Sequence, residues 1–478
     1  MNDKRSLPVL PHAAAHDAAG TSHDDDDVLS TLRRDGSRRW LMPHLATGGW
    51  WRKRRVVAYI LMVVFVAVPH LRVAGKPLIL MDIPARQFTI FGRTFLPTDT
   101  MLLALLMLSV MFGIVLITAI AGRAWCGWAC PQTVYMEYLF RPIDRLFDGT
   151  TGRGGHAKKP LTGVKQVARV AVYVLLSMFL AHTFLAYFVG TERLSQWIQS
   201  SPIDHPAAFL VMAATTGLML FDFLIFREQM CLIACPYGRF QSVMLDEQSL
   251  TVTYDPVCGE PRKKGKHRAE DNAGDCVDCN RCVVVCPTGI DIRDGLQMEC
   301  INCTQCIDAC DDVMDRVGSP RGLIRYGSQD GIAGKPRRRF RPRTIIYPLI
   351  LTAVLSGFAY ALSTKTTFDA RVLRGKGAPF TTVARGRISN SFTIRLVNRT
   401  DEKQTYALQV AEPANVQLKV IDPTGLTLEP GGTSLVPVAT EFSGSLTFGT
   451  GNQPATLEVT SSKDASKTVQ FNLLGPRQ

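Results

Sequence analysis

Eight cysteines between Cys276 and Cys310 repeat one spacing twice. The first run is Cys276-x2-Cys279-x2-Cys282-x3-Cys286, closed by Pro287. After a 12-residue gap the second is Cys300-x2-Cys303-x2-Cys306-x3-Cys310. Three closely spaced thiolates wrap one corner of a 4Fe–4S cube and leave the fourth ligand to come from elsewhere. In paired runs of this kind the fourth cysteine of each run ligates the other run's cluster. The spacing therefore assigns Cys276, Cys279, Cys282 and Cys310 to a first 4Fe–4S cluster. Cys300, Cys303, Cys306 and Cys286 go to a second. Zinc favours two separated Cys-x2-Cys pairs over triplets. Asp311 stands where the first run has Pro287; that position shapes the chain and is no ligand.

Two further pairs, Cys126-x3-Cys130-Pro131 and Cys231-x3-Cys235-Pro236, each follow a long apolar block. On a continuing helix, i,i+4 spacing puts both sulfurs on one face. The proline then marks where helix gives way to loop. Two such pairs at one membrane depth bring four thiols together. Soft thiolates select Cu(I), zinc or iron–sulfur iron, and paired thiols also cycle with a disulfide. Copper at Cys126, Cys130, Cys231 and Cys235, a redox disulfide and a third cluster all stay open on spacing alone. The plainer alternative is small buried residues at helix ends. Cys258 has no partner at ligand spacing and reads as a bystander. His182 and Asp222 are polar groups within apolar blocks, which makes them functional candidates. His182 suits a quinone or a metal, and equally a bond to a neighbouring helix. His70 and His205 are weaker candidates.

These cysteines need a scaffold. The chain has 478 residues, 46% of them hydrophobic and gathered in blocks, with a formal net charge of +13. Lys and Arg sit beside the apolar blocks, so the positive-inside rule explains the charge better than nucleic acid does. All 13 cysteines fall between Cys126 and Cys310, unlike a secreted disulfide framework. Residues 1–50 read as a disordered cytoplasmic tail with Asp24 to Asp27 in a row, and as no signal peptide. Trp50 and Trp51 beside Arg52-Lys53-Arg54-Arg55 form an interfacial anchor. Spans are expected at about 56–73, 100–121, 167–189, 207–226 and 345–362. Gln87 to Phe91 alternate as a short hairpin would. A ferredoxin-like domain is expected at 254–326. Alternating runs and turn signals over 375–478 predict a periplasmic, immunoglobulin-like β-sandwich. The expected architecture is thus a multi-domain membrane protein. A five-helix transmembrane bundle would carry its tail and two-cluster ferredoxin domain inside and its C-terminal domain outside a bacterial inner membrane.

With these residues in place the sequence resembles the CcoG family, also called FixG or RdxA. The resemblance rests on Asp82-Ile83-Pro84-Ala85-Arg86, on Cys126-Gly127-Trp128-Ala129-Cys130-Pro131-Gln132-Thr133-Val134, on Cys286-Pro287-Thr288-Gly289-Ile290-Asp291-Ile292-Arg293, on Gly295 to Cys303 and on Gly322-Leu323-Ile324-Arg325-Tyr326. It runs from about the first span to the C-terminus and leaves the acidic tail outside. It implies two 4Fe–4S clusters, five spans and a role in converting Cu(II) to Cu(I) for cbb3-type cytochrome c oxidase assembly. Partners would be oxidase assembly factors or copper chaperones and transporters, with an unidentified electron donor. The family usually has Arg where Cys258 sits. Two other functions compete: a quinol-oxidising membrane ferredoxin of the NapH/NosR type, and a non-redox assembly scaffold.

Overall fold

The computed structural model describes residues 27–477, apart from 34, 36–37, 39, 74, 84–86, 96–98, 149–162, 264–272, 336–340, 365, 376–377, 384–385, 401 and 464. Most of the expected N-terminal tail, the Pro84-Ala85-Arg86 part of the motif and several basic loop residues lie outside the described residues. The chain divides into two units, residues 1–80 with 109–352 and residues 81–108 with 353–478.

The first unit is helical around the cysteines. Its long helices are α1 (Gly49–Ala67), α2 (Thr100–Ala121, begun in the second unit), α3 (Val164–Val189), α4 (Thr191–Gln199), α5 (Pro206–Phe221), α6 (Gln305–Val317) and α7 (Pro342–Ser363). Among the described residues, four helical stretches are long and apolar enough to cross a membrane: Thr100–Ala121, Val164–Val189, Pro206–Phe226 and Pro342–Ser363. The expected first span is displaced. Its helix begins at Gly49, takes in Arg52 to Arg55, and ends at Ala67. Pro69 follows in a short 3-10 turn, where a missing N–H and a fixed φ end the α-helix. The basic first turns set α1 apart in composition from the other four. Its contacts nonetheless run its full length. Arg54 Nε donates to Gly127 O at 2.8 Å. Three turns on, Phe65 stacks on Tyr187 near the end of α3 at 5.5 Å, and Tyr187 Oη donates to Phe65 O at 2.8 Å.

Beyond the spans, strands Thr251–Tyr254 and Ile324–Gly327 pair antiparallel and bracket the eight cysteines. Both strands present Val252, Tyr254 and Ile324 to the core that contains Cys276, Cys282, Cys300 and Cys310. The first turn of α1 is tied to this core. Trp50 N and Trp51 N donate to Asp308 Oδ1 and Oδ2 at 3.0 and 2.7 Å, so Asp308 of α6 satisfies two of the N–H groups that a helix start leaves open.

The second unit is a β-sandwich, as its alternating sequence predicts. One sheet runs Phe368–Leu373, Arg387–Asn398, Thr433–Ser443, Gln417–Val420 in spatial order, with Thr381–Val383 also on Arg387–Asn398. The other runs Thr427–Leu428, Gln404–Glu412, Asn452–Ser461, Ser466–Leu474. Every second residue points inward, so Ile394, Leu396, Val436, Val438, Leu457 and Leu473 are fully buried. The Gln87 hairpin forms. Gln87–Ile90 pairs with Arg93–Phe95, and Phe91 and Gly92 make the turn with φ of 51° and 74°. That φ pattern matches the right-handed twist of the strands. Arg399 Nη2 holds Asp99 Oδ1 at 2.7 Å, fixing residues 81–108 within this unit.

Candidate metal centres

The two cysteine runs superpose at an offset of 24 residues. The backbone repeats with them. Asp278 and Asn280 flank Cys279, and Asn302 and Thr304 flank Cys303, all four at φ between 51° and 60°. Non-glycine residues avoid this left-handed region unless the surroundings impose it. Here it turns each run around its middle cysteine. The third cysteine of each run then enters a helix, Arg281–Val284 for Cys282 and α6 for Cys306 and Cys310.

The fold gathers the sulfurs into two adjoining cavities. Cys276, Cys279, Cys282 and Cys310 line one, with Tyr254, Arg293 and Met314. Cys286, Cys300, Cys303 and Cys306 line the other, walled by Val252, Ile290, Ile292 and Ile301, and Cys282 lines this one too. Each cavity is thus lined by the first three sulfurs of one run and the last of the other, with Cys282 bordering both. None of these thiols is in a disulfide. Burial pushes Cys300 up to about 11 and Cys310 up to about 12, and neighbouring thiolates add to both. Cys282, Cys303 and Cys306 are raised the same way. Buried thiols that repel one another's charge suit a cationic metal group, which deprotonates its sulfur ligands outright. The donor set thus fits a 4Fe–4S group in each cavity.

A second thiol group lies against the second cavity. Cys126 is in the short helix Ala124–Trp128, and Cys130 is the extended residue before the helix Pro131–Tyr135. Cys231 and Cys235 repeat the arrangement with a π-turn, Met230–Ala234, and the helix Pro236–Met244. The helix does not continue through either pair, contrary to the i,i+4 expectation. Each proline starts a new helix, at the first position, where its missing N–H costs nothing. The four thiols still share one electrostatic environment. Burial pushes Cys126 up to about 12, Cys130 and Cys235 add to this, and Arg123 opposes it. Cys231 is raised by burial and then by Cys130, Cys126 and Cys235, with a smaller push from Asp222. Burial also raises Cys130, against the N–H groups of Thr133 and Gln132. Gln241, fully buried, accepts from Cys126 Sγ at 3.1 Å and donates to Gly122 O at 3.0 Å. Among the described residues no three His, Cys, Asp or Glu side chains stand close enough to hold a single ion. These four sulfurs would have to draw together to do so.

Contacts between the thiol group and the second cavity are direct. A Cβ on Gly127 would sit 2.5 Å from Asn302 O and 2.9 Å from Ile301 O, so only glycine lets the two turns meet. Arg54 donates to Gly127 O and to Cys303 O. Arg123 donates to Met298 O, to Cys300 O at 2.8 Å and to Gly238 O at 3.3 Å. Burial pulls Arg123 down, and the charges of Cys300 and Cys126 offset part of this.

A family model described as a 4Fe-4S dicluster domain matches residues 226–329, and one described as a 4Fe-4S binding domain matches 103–149. A third, for the IG-like fold at the C-terminal of FixG, matches 358–476. Protein RdxA of Cereibacter sphaeroides is 34% identical over 432 residues, covering 86% of this chain and 88% of its own. Nitrogen fixation protein FixG of Rhizobium meliloti is 32% identical over 440 residues, covering 81% and 82%. The chain belongs to the FixG/RdxA family. Ferredoxin-type protein NapH of Escherichia coli is similar at 24% identity over 299 residues, covering 54% of this chain and 94% of its own. A solved FixG-related structure from Vibrio parahaemolyticus covers 23% of this chain and 98% of its own at 18% identity, with a TM-score of 0.20. This FixG/RdxA-family chain is an iron–sulfur electron-transfer protein with apolar helices that suit a membrane.

The remaining candidates of the FixG/RdxA-family chain fall into four places, one of them the 3-10 turn Val68–His70, where His70 is exposed and apart from the other candidates' cavity. Asp222 joins the thiol group, since Gln132 Nε2 donates to its Oδ1 at 3.1 Å and to Arg227 O at 3.0 Å. His182 and His205 come together elsewhere, in a cavity of about 310 Å³ among α3, α4 and α5 with Trp197, Phe209 and Leu194. His182 Nδ1 bonds Met178 O at 2.8 Å, which leaves Nε2 facing other partners, and Trp197 lies 5.5 Å from the His205 ring. Cys258 is exposed on the short helix Pro256–Gly259 and lines neither cysteine cavity. Sequence reasoning missed Arg54, Arg123, Gly127 and Gln241, whose partners are all distant in sequence. The polar residues flanking Cys279 and Cys303 were findable, because they recur at the same 24-residue offset.

Proposed function

We propose that this protein reduces Cu(II) to Cu(I) at a membrane surface during cbb3-type oxidase assembly. Cys276, Cys279, Cys282 and Cys310 would hold one 4Fe–4S group, and Cys286, Cys300, Cys303 and Cys306 the other. These groups, when bound, supply one-electron exchange. Copper, the substrate, would be held by Cys126, Cys130, Cys231 and Cys235, whose soft sulfurs favour the reduced ion. The observation that carries this reading is the contact of the Cys126–Cys130 turn with the Cys300–Cys303 turn at Gly127. It puts a soft thiol group beside an electron store. Asp222, whose charge acts on Cys231, would take up the proton that a thiol gives up on binding copper.

The same reading places the cysteines, α1's basic start and the ferredoxin-like domain in the cytoplasm, and the β-sandwich in the periplasm. Support for a fifth crossing by α1 comes from its two ends. Arg54 meets Gly127 just beyond α2, while Phe65 meets Tyr187 at the opposite end of α3. A 19-residue helix rises about 28 Å, near the thickness of the hydrocarbon core. Copper chaperones or transporters and oxidase assembly factors are the proposed partners.

The test uses oxygen-free protein in detergent. The iron–sulfur groups are reduced, excess reductant is removed, Cu(II) is added, and Cu(I) and iron–sulfur oxidation are followed together. Stoichiometric Cu(I) that is lost in the Cys126→Ala/Cys231→Ala variant is expected. Iron–sulfur groups that stay reduced with Cu(II) present would overturn the reading. A second reading, quinol oxidation, is favoured by the His182–His205 cavity and by the similarity to NapH. Reduction of the iron–sulfur groups by a soluble quinol without copper, abolished by His182→Leu, would decide for it.

A further inference from the structure

The two cysteine cavities differ most in the charges built around them. Beside the first stands Arg293, and it is neutralised on the spot. Its guanidinium bonds Asp291 at 2.6 Å and Asp278 at 2.7 Å. Asp311 adds negative charge next to Cys310. Beside the second stand Arg54 and Arg123, 1% and 4% exposed. Among the described residues neither has a carboxylate within ion-pair distance. Both spend their hydrogen bonds on carbonyls of the Cys126 and Cys300–Cys303 turns and Gly238. Among the described residues, Arg54 Nη2 and Arg123 Nε are buried with no hydrogen-bond partner, though the Arg54 guanidinium lies 5.6 Å from the Tyr138 ring centroid.

A guanidinium does not shed its proton in a protein, and a buried cation without a counter-ion is strongly disfavoured. The missing anions are at hand. The negative charges that act most strongly on Arg123 are those of Cys300 and Cys126 when deprotonated, ahead of Glu299. Arg54 acts on Cys303 in the same way. Two fixed cations favour whichever oxidation state carries more negative charge. Net charge and hydrogen bonding are among the factors that set iron–sulfur potentials. Solvation pulls the other way, since Cys279 of the first cavity is exposed and would help a reduced group there. The cations touch the backbone of their own ligands, and buried charges are screened little, so their effect should prevail.

We propose that Arg54 and Arg123 are the built-in counter-charges of the Cys286/Cys300/Cys303/Cys306 centre and make it the more oxidising of the two. Electrons then run in one direction. A soluble one-electron reductant gives one electron at the exposed Cys279 edge. The electron passes to the buried centre and is held there, beside the Gly127 contact with the Cys126 turn. No bond is made or broken in these steps. The inference rests on the assignment of two 4Fe–4S groups but not on copper as the acceptor.

The test is a redox titration of the full-length protein in detergent, followed by electron paramagnetic resonance, with iron counted beforehand. Wild type should show two waves. Arg54→Gln and Arg123→Gln should each lower the higher wave and leave the lower one in place. Arg123→Lys should restore most of the shift, because it returns the charge without the guanidinium's hydrogen bonds. Asp291→Asn, beside the first cavity, should raise the lower wave alone. A glutamine variant that moves the lower wave, or neither, overturns the proposal, as does a lysine variant that behaves like glutamine. If the glutamine variants do not load iron, the Asp291→Asn result decides. Iron counts that exclude two 4Fe–4S groups would instead defeat the underlying assignment.

Discussion

In the β-sandwich the fully buried side chains are mostly hydrocarbon, such as Ile394, Leu457 and Leu473; in the cysteine-bearing unit the largest of them is Arg54. The contrast separates two ways of making a stable interior. The sandwich closes on alternating apolar residues that need nothing but each other. The cysteine unit buries cations, thiols and turns at positive φ, and two of those cations, Arg54 and Arg123, have no carboxylate within ion-pair distance among the described residues. It should therefore depend on its metal, while the sandwich should not.

The strongest way to break this comparison is at Cys282, which lines both cavities. Cys282→Ala should cost at least half of the bound iron and open residues 276–310 to proteolysis. The sandwich should keep its hydrogen-exchange protection in the same sample. Loss of protection in both would mean that the units are not independent. Next comes the converse. Leu457→Ala, at a fully buried position, should destabilise the sandwich by about 2–5 kcal/mol and leave the iron content unchanged. Denaturant unfolding read by exchange at 387–398, alongside iron analysis, checks both halves.

Smaller effects sharpen the comparison. Asp308→Ala removes the cap on α1 and should cost about 1 kcal/mol, seen as faster exchange at Trp50 and Trp51. The least effect is expected from pH. Burial works against the Asp369 carboxylate, but the hydrogen bond from Lys467 and the charges of Lys467, Arg399 and Arg371 hold it below its usual range. A depressed carboxylate stabilises the fold above its unfolded value, and that contribution fades as pH falls through the lower folded value. The acid limb of sandwich stability should therefore be shallower in Asp369→Asn, with no change in the neutral range.

What the sequence made legible was local. Ligand spacing is read from one run of chain, so the cavity-lining cysteines could be grouped before any fold was known. The sandwich was readable because strand alternation is a two-residue period. The helix at Arg52 to Arg55 was misplaced because basic residues normally mark a helix edge, and here they lie within it. The prolines after Cys130 and Cys235 were read as helix ends when they are helix starts, since proline suits both places. Arg54 and Arg123 were invisible as partners of the second cavity. Their contacts span 249 and 177 residues, and nothing in either local sequence names the other end.

The cap on α1 also has a meaning in time. The N–H groups of Trp50 and Trp51 wait for Asp308, 258 and 257 residues later in the chain. Asp308 lies between Cys306 and Cys310, on the helix that contributes a sulfur to each cavity. A ribosome releases α1 long before its cap exists. Helix α1 is therefore capped only after the last cysteine has been made and its helix has folded. A chain in which α6 has not yet folded would carry an unfinished start to α1, with the N–H groups of Trp50 and Trp51 left open.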